Sequence, residues 1–160
     1  MIQIIETEYD EDRLRQEAMD REGYEPFVDP KTGNVIEKWL IKRRMSDYSK
    51  ELVCKFQDML KCDIKPRFYI QEKDFMLPWH VDRGTKCAVN IVLSTQGDPI
   101  EFRHTVGEDT YRRKYYYRCA LIDTTQEHRV KAISEPRVLF KMSIFDKSFE
   151  EAREAYDTTY

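Results

Sequence analysis

The segment PWHVDR sets an imidazole and a carboxylate two residues apart, His80 and Asp82. In an extended backbone such residues project to the same side, so both groups can reach one ion. Pro78 and Gly84 bracket the pair with turn chemistry, which places it at a strand end or loop mouth, where functional groups concentrate. Alone the tripeptide is a weak signal, because a surface His–Asp hydrogen bond satisfies it equally well. A third ligand is needed, and the candidates are His104 and His128. The interval from Asp82 to His128 has room for several strands to wind round and return to the same mouth, whereas His104 falls in the second strand after the pair; the spacing favours His128. Two imidazoles and one carboxylate on one face of an octahedral ion leave the opposite positions free for reacting molecules. Arg137 follows soon after His128, where a guanidinium fork suits the far carboxylate of a dicarboxylic co-substrate.

Long strands must position these groups. KCAVNIVLS puts Cys87, Val89, Ile91 and Leu93 on one face and Lys86, Asn90 and Ser94 on the other; RVLFKMSIF separates Val138, Phe140, Met142 and Ile144 from Arg137, Leu139, Lys141 and Ser143. Each reads as a strand with one face on a core and one lining a wet space. RFYIQ, PIEFRH and YYYRCALID read as further strands, separated by the turn-rich stretches TQGDP and TVGEDT. Before them, Ile2 to Ile5 reads as a short strand, Asp10 to Glu22 as a helix stopped by Gly23, and FVDPKTGNVIEKWLI as a hairpin. Ser46 to Lys61 is the best helix: Ser46 is a natural N-cap, and Leu52, Val53, Phe56, Met59 and Leu60 form one apolar stripe. A last helix, Phe149 to Tyr156, has Ser148 and Glu151 at capping-box spacing. Many short strands under a few covering helices predict a mainly β fold, a jelly roll or open barrel with helical support. The expected organisation is a single domain over 1–160: helical and hairpin support at 1–65, a core carrying the site at 66–146, and a terminal helix at 147–160.

Composition excludes several classes. The 27 basic and 30 acidic residues give a net charge of −3, so no global field draws nucleic acid or an anionic membrane. The stretch TYRRKYYYRC reads first as a charged edge strand, with a substrate-facing loop and a nucleic-acid contact as alternatives. The opening lacks a basic and apolar leader, and no run of about 18 apolar residues occurs, so neither secretion nor membrane insertion is expected. Cys54, Cys62, Cys87 and Cys119 are scattered without a C-x-x-C pair and read as reduced cytoplasmic thiols.

The order PWHVD, KCAVNIVLS, ALIDTTQEHRV, EPRVLFKMSIF resembles the 2-oxoglutarate and Fe(II)-dependent oxygenases over Arg67 to Asp146, with a fainter likeness to their aspartyl/asparaginyl hydroxylase-like branch. The resemblance implies a double-stranded β-helix, or cupin-like jelly roll, made compact by the short interval between Asp82 and His128. It implies that His80, Asp82 and His128 hold Fe(II), and that Arg137 binds the distal carboxylate of 2-oxoglutarate. The implied reaction, with O2, couples 2-oxoglutarate decarboxylation to C–H oxidation of a peptide side chain or small metabolite. Many relatives carry Arg-x-Ser where this chain has Arg137-Val138-Leu139, so a further carboxylate partner must come from elsewhere; Tyr69 and Asn90 are the candidates on neighbouring strands. Trp79 is a candidate wall of the pocket, and Asp123 reads as a turn carboxylate. Two other readings use the same residues. One is a cupin-like module whose metal or His cluster is structural; the other is a metal-dependent hydrolase or isomerase, which gives Arg137 no duty.

Overall fold

The alternating strands do pair into two facing sheets. The protein is described by a computed structural model covering residues 1–94, 99–131 and 133–159. In chain order its elements are β1 (Ile2–Ile4), α1 (Glu11–Met19), β2 (Glu25–Val28), β3 (Val35–Lys42), α2 (Asp47–Leu60), β4 (Ile64–Gln71), β5 (Leu77–His80), β6 (Cys87–Val92), β7 (Ile100–Val106), β8 (Asp109–Tyr115), β9 (Cys119–Ile122), β10 (His128–Val130), β11 (Arg137–Ile144) and α3 (Phe149–Thr159). One sheet has the order β1-β9-β6-β11-β4-β3-β2, the other β5-β10-β7-β8.

The antiparallel pairs β7–β8, β6–β9, β5–β10 and β4–β11 are nested. The stretch from Ile64 to Ile144 is therefore one long hairpin, folded at Gly107-Glu108 and wound back and forth between two sheets. At its tip Val106 opposes Asp109, and Gly107 has a φ of +64°, so glycine stands first in a two-residue turn, as the type II′ geometry favoured by twisted strands requires. Ile64 opposes Ile144, Gln71 opposes Arg137 and His80 opposes His128, with a one-residue shift in β5–β10 between His128 and Val130. All eight strands of a double-stranded β-helix are present, so the barrel is not trimmed. β1, β2 and β3 lengthen the larger sheet at its two edges.

One sequence expectation needs correction. YYYRCALID is not one strand: Tyr115 ends β8 and Cys119 begins β9, because Tyr116 to Arg118 carry the chain from one sheet to the other. The charged stretch before it is indeed an edge strand, β8. Of the expected turn TQGDP, residues 95–98 lie outside the described residues.

The helices cover the outer face of the larger sheet. Ser46 caps α2 by accepting from the Ser49 N–H, and Ser148 and Glu151 exchange backbone hydrogen bonds at the start of α3. Leu52, Phe56, Met59 and Leu60 of α2 meet Phe68, Ile70, Val89, Ile91, Phe140 and Met142 of the sheet in one core. Phe68 and Phe140, register partners, stack with centroids 4.6 Å apart. A smaller core between the sheets contains Tyr69, Val92, Ile100, Phe102, Tyr117 and Leu139. Burying each large apolar side chain contributes about 1.5–3 kcal/mol, so the helical layer holds the outer face of this sheet against water. Among the described residues no helix is long and apolar enough to cross a membrane.

Candidate metal centre

His80 ends β5 and His128 begins β10, and the two strands are neighbours with these residues directly opposite. Their rings lie 4.4 Å apart between centroids. Asp82 follows in the loop that Gly84, at a φ of +71°, turns away. Its backbone N–H donates to the Thr124 carbonyl at 3.0 Å, tying this loop to the segment that leads into β10. Oδ1 of Asp82 stands 3.3 Å from Nε2 of His80 and 3.4 Å from Nε2 of His128. The three donor atoms lie within 4.8 Å of one another.

The hydrogen bonds behind the rings determine what faces forward. Nδ1 of His80 is 2.7 Å from the Pro78 carbonyl oxygen, and Nδ1 of His128 is 2.7 Å from that of Gln126. A carbonyl oxygen only accepts, so each Nδ1 carries a proton, and a neutral ring then turns its Nε2 lone pair toward the carboxylate. Three electron pairs converge. That is favourable only if both rings are doubly protonated or a cation sits among them. Ligand atoms on adjacent vertices of an octahedral ion, each at about 2.1 Å, are about 3 Å apart, close to the carboxylate–imidazole separations here. Carbonyl oxygens that fix the tautomer are also the usual support of metal-binding imidazoles. The residues therefore fit a divalent ion.

The other carboxylate oxygen, Oδ2, accepts from Nζ of Lys141, which reaches down from β11; the two side chains are 11% and 18% exposed. Burial opposes ionisation of Asp82, yet the Lys141 ammonium and the adjacent His128 and His80 rings outweigh it and hold the carboxyl well below the usual carboxylate range. Burial equally works against the Lys141 ammonium, and Asp82 reverses it, raising the amine above its ordinary value. Asp82 thus keeps one oxygen neutralised and turns the other to the imidazoles. The sequence places Lys141 on the polar face of its strand but says nothing of its partner.

Arg137 lies deeper, 3% exposed, at the start of β11 opposite Gln71. Its Nη2 donates to the Tyr117 hydroxyl at 3.0 Å, and Nδ2 of Asn90 donates to the same oxygen at 3.2 Å. With two donors received, the hydroxyl has its own proton left for a third group. Nε of Arg137, Oδ1 of Asn90 and Oε1 of Gln71 are buried without a hydrogen-bond partner among the described residues. Each such group costs about 1–3 kcal/mol, a cost that a polar ligand entering here would relieve.

Of the two suggested partners of Arg137, Asn90 reaches it through Tyr117. Tyr69 faces the same space opposite Leu139 but stacks on Trp39 at 4.7 Å, and among the described residues no hydrogen bond joins it to Arg137. Sequence reasoning missed Tyr117, since in a run of three tyrosines only the crossing between sheets singles it out. His104 sits near the rim, stacked on Tyr111 at 5.5 Å, apart from the three converging donors. Trp79 does not wall the pocket: it alternates with His80 and lies on the outer face, 4.5 Å from the Arg103 guanidinium and 4.4 Å from that of Arg129. Asp123 accepts from both the backbone and the hydroxyl of Thr125, an Asx turn as expected.

No protein-family model matches the sequence, and a search of curated proteins finds no match. Solved structures do match. An oxidoreductase of the 2OG-Fe(II) oxygenase family from Burkholderia pseudomallei aligns with a TM-score of 0.61 at 15% identity, over 86% of this chain and 79% of that one. A Pseudomonas putida prolyl-4-hydroxylase aligns at 0.62 and 11% identity, over 86% of each chain. A Trichoplax adhaerens prolyl hydroxylase, in complex with a hypoxia inducible factor peptide fragment, aligns at 0.64 and 12% identity, over 92% of this chain and 79% of that one. The shared feature is the jelly-roll fold.

Proposed function

We propose that this chain, which has the jelly-roll fold of the 2OG-Fe(II) oxygenases it aligns with, is a non-haem Fe(II) and 2-oxoglutarate-dependent oxygenase. We read it as a hydroxylase of a peptide side chain or small metabolite. The observation that carries this is the convergence of the Nε2 atoms of His80 and His128 on Oδ1 of Asp82, three acceptors, when the rings are neutral, that a shared cation reconciles. When bound, Fe(II) supplies the activation of O2 that couples decarboxylation of 2-oxoglutarate to C–H oxidation.

The chain's own residues do the rest. His80, Asp82 and His128 hold the ion, and Lys141 keeps Asp82 ionised so that no carboxyl proton has to leave on binding. From Lys141 to Arg137 β11 advances about 13 Å, and Leu139 between them offers an apolar floor for the methylenes of a dicarboxylic acid. Arg137 and the Tyr117 hydroxyl take its far carboxylate, relieving the unpartnered Nε. Val92, Ile100 and Phe102 line the same space and exclude water, which strengthens these interactions. The peptide-bound neighbour supports a peptide among the possible substrates. Four free thiols support a reducing, cytoplasmic setting.

The test is anaerobic. Fe(II) and 2-oxoglutarate added to the protein should produce a visible charge-transfer band, lost in His80→Ala and in His128→Ala. Arg137→Gln should still bind Mn(II) while weakening 2-oxoglutarate at least tenfold. A wild-type protein that never develops the band, and whose Mn(II) affinity is untouched by His80→Ala, overturns the reading.

A further inference from the structure

We infer that the substrate of this site carries an oxyanion, a carboxylate or a phosphate, gripped between Arg67 and Arg113 from opposite walls of the barrel mouth. The inference rests on the reading above for what happens beside the grip, but the grip itself stands on separate geometry.

Side chains of residues directly opposite in an antiparallel pair share one face of the sheet. Arg67 of β4 is opposite Lys141, so it projects into the barrel beside the residue that holds Asp82. On the other wall Arg113 is opposite Phe102, Phe102 is opposite His128, and His128 is opposite His80. Arg113 therefore ends the cross-strand row that carries both imidazoles. Arg113 thus shares the imidazoles' row on the smaller sheet and Arg67 shares the row of Lys141 on the larger one. Arg67 is half-buried and Arg113 exposed.

Neither has a carboxylate partner among the described residues. On the outer face of the same small sheet Arg103 pairs with Glu127 and Arg129 with Glu101, each at 2.8 Å, while Arg112 has no carboxylate partner among the described residues. The inner faces of β4 to β11 and the loop after β5 carry Lys65, Arg67, Arg113, Arg137 and Lys141, against Asp82 and, at the hairpin tip, Asp109; on the same face of β2, Glu25 is paired with Arg43. Lys141 is spent on Asp82. A dicarboxylic co-substrate has one charge for Arg137 and one for the ion. Lys65 stands over the Phe145 ring at 4.9 Å, which leaves one positive charge of a divalent ion, Arg67 and Arg113 facing whatever enters.

A mouth of one sign between low-dielectric walls concentrates ligands of the opposite sign, and two guanidinium forks match the planar oxygens of a carboxylate or the edges of a phosphate. The same field disfavours a lysine or arginine side chain as the oxidised group. The stacked His104 and Tyr111, on the same inner face and one row outward from Arg113, offer a surface for the substrate's carbon skeleton.

The test uses inorganic phosphate and acetate as probes. In metal-free protein, dissociation constants from 31P and 13C line widths should rise tenfold or more in Arg67→Gln and in Arg113→Gln. The tighter of the two probes names the preferred oxyanion. With Mn(II) and N-oxalylglycine bound, relaxation of the bound probe should be enhanced by the ion, and the double variant Arg67→Gln/Arg113→Gln should abolish the enhancement. Constants that ignore both substitutions, or an enhancement unchanged in the double variant, overturn the inference. If Mn(II) fails to bind while the metal-free constants still depend on both arginines, the oxygenase reading falls and the anion grip stands. Both side chains reach solvent, so melting temperatures of the variants should match the wild type.

Discussion

Replacing Lys141 with Met deletes an ammonium from a nearly buried carboxylate while leaving a side chain of similar length. Asp82 is 11% exposed, and Lys141 supplies the charge on Oδ2, so the variant strands a carboxylate whose remaining contacts are two imidazoles. Breaking a buried pair by removing one partner costs about 3–5 kcal/mol. The two imidazoles remain beside the carboxylate, which sets the expected loss near the low end, about 3 kcal/mol. For a chain of this size that lowers Tm by about 6–12 °C. Urea denaturation of metal-free protein at neutral pH measures it. Asp82→Asn/Lys141→Met, which removes both charges, should regain most of the loss. The pH dependence has a definite sign. Asp82 is depressed in the folded state, so its contribution is present above the unfolded carboxyl value and disappears only as pH falls through the folded one; Lys141 is raised, so its contribution is present below the unfolded amine value and disappears as pH climbs through the folded one. The wild-type advantage should therefore be flat from about pH 5 to about pH 9. A loss under about 1 kcal/mol, or a double variant as unstable as Lys141→Met alone, would refute the claim that this pair is what keeps Asp82 ionised.

Tyr117→Phe removes the hydroxyl shared by Arg137 and Asn90, and with it a bond to a charged group worth about 1.5–3 kcal/mol. Calorimetry should show 2-oxoglutarate binding at least tenfold weaker with Mn(II) affinity unchanged; equal losses in both would make Tyr117 merely structural. Burial pushes the thiols of Cys62, Cys87 and Cys119 up to about 12, while Cys54 is exposed. A thiol reagent at neutral pH should consequently label one cysteine in the native protein and all four in urea. Rapid native labelling of Cys119, beneath the crossing that carries Tyr117, would mean that this wall of the barrel opens.

Much of this protein could be read locally. The alternation in KCAVNIVLS and RVLFKMSIF separates a helix-covered face from a barrel face, and the observed core divides along those lines, because side-chain direction in a strand depends only on the residue's parity. Ser46 and Ser148 announce their helices because a cap is a contact within one turn. His80 and Asp82 declare themselves as a pair for the same reason. What joins them to His128 rather than His104 is the register of a hairpin closed at Gly107, a property of the whole wound chain. The same winding brings Lys141 to Asp82, gives Tyr117 rather than Tyr69 to Arg137, turns Trp79 outward among arginines, and leaves Arg67 and Arg113 facing each other's wall. Periodicity assigns each side chain to a face; which faces meet, and at what level, follows only from non-local strand pairing, where residues far apart in the chain become neighbours.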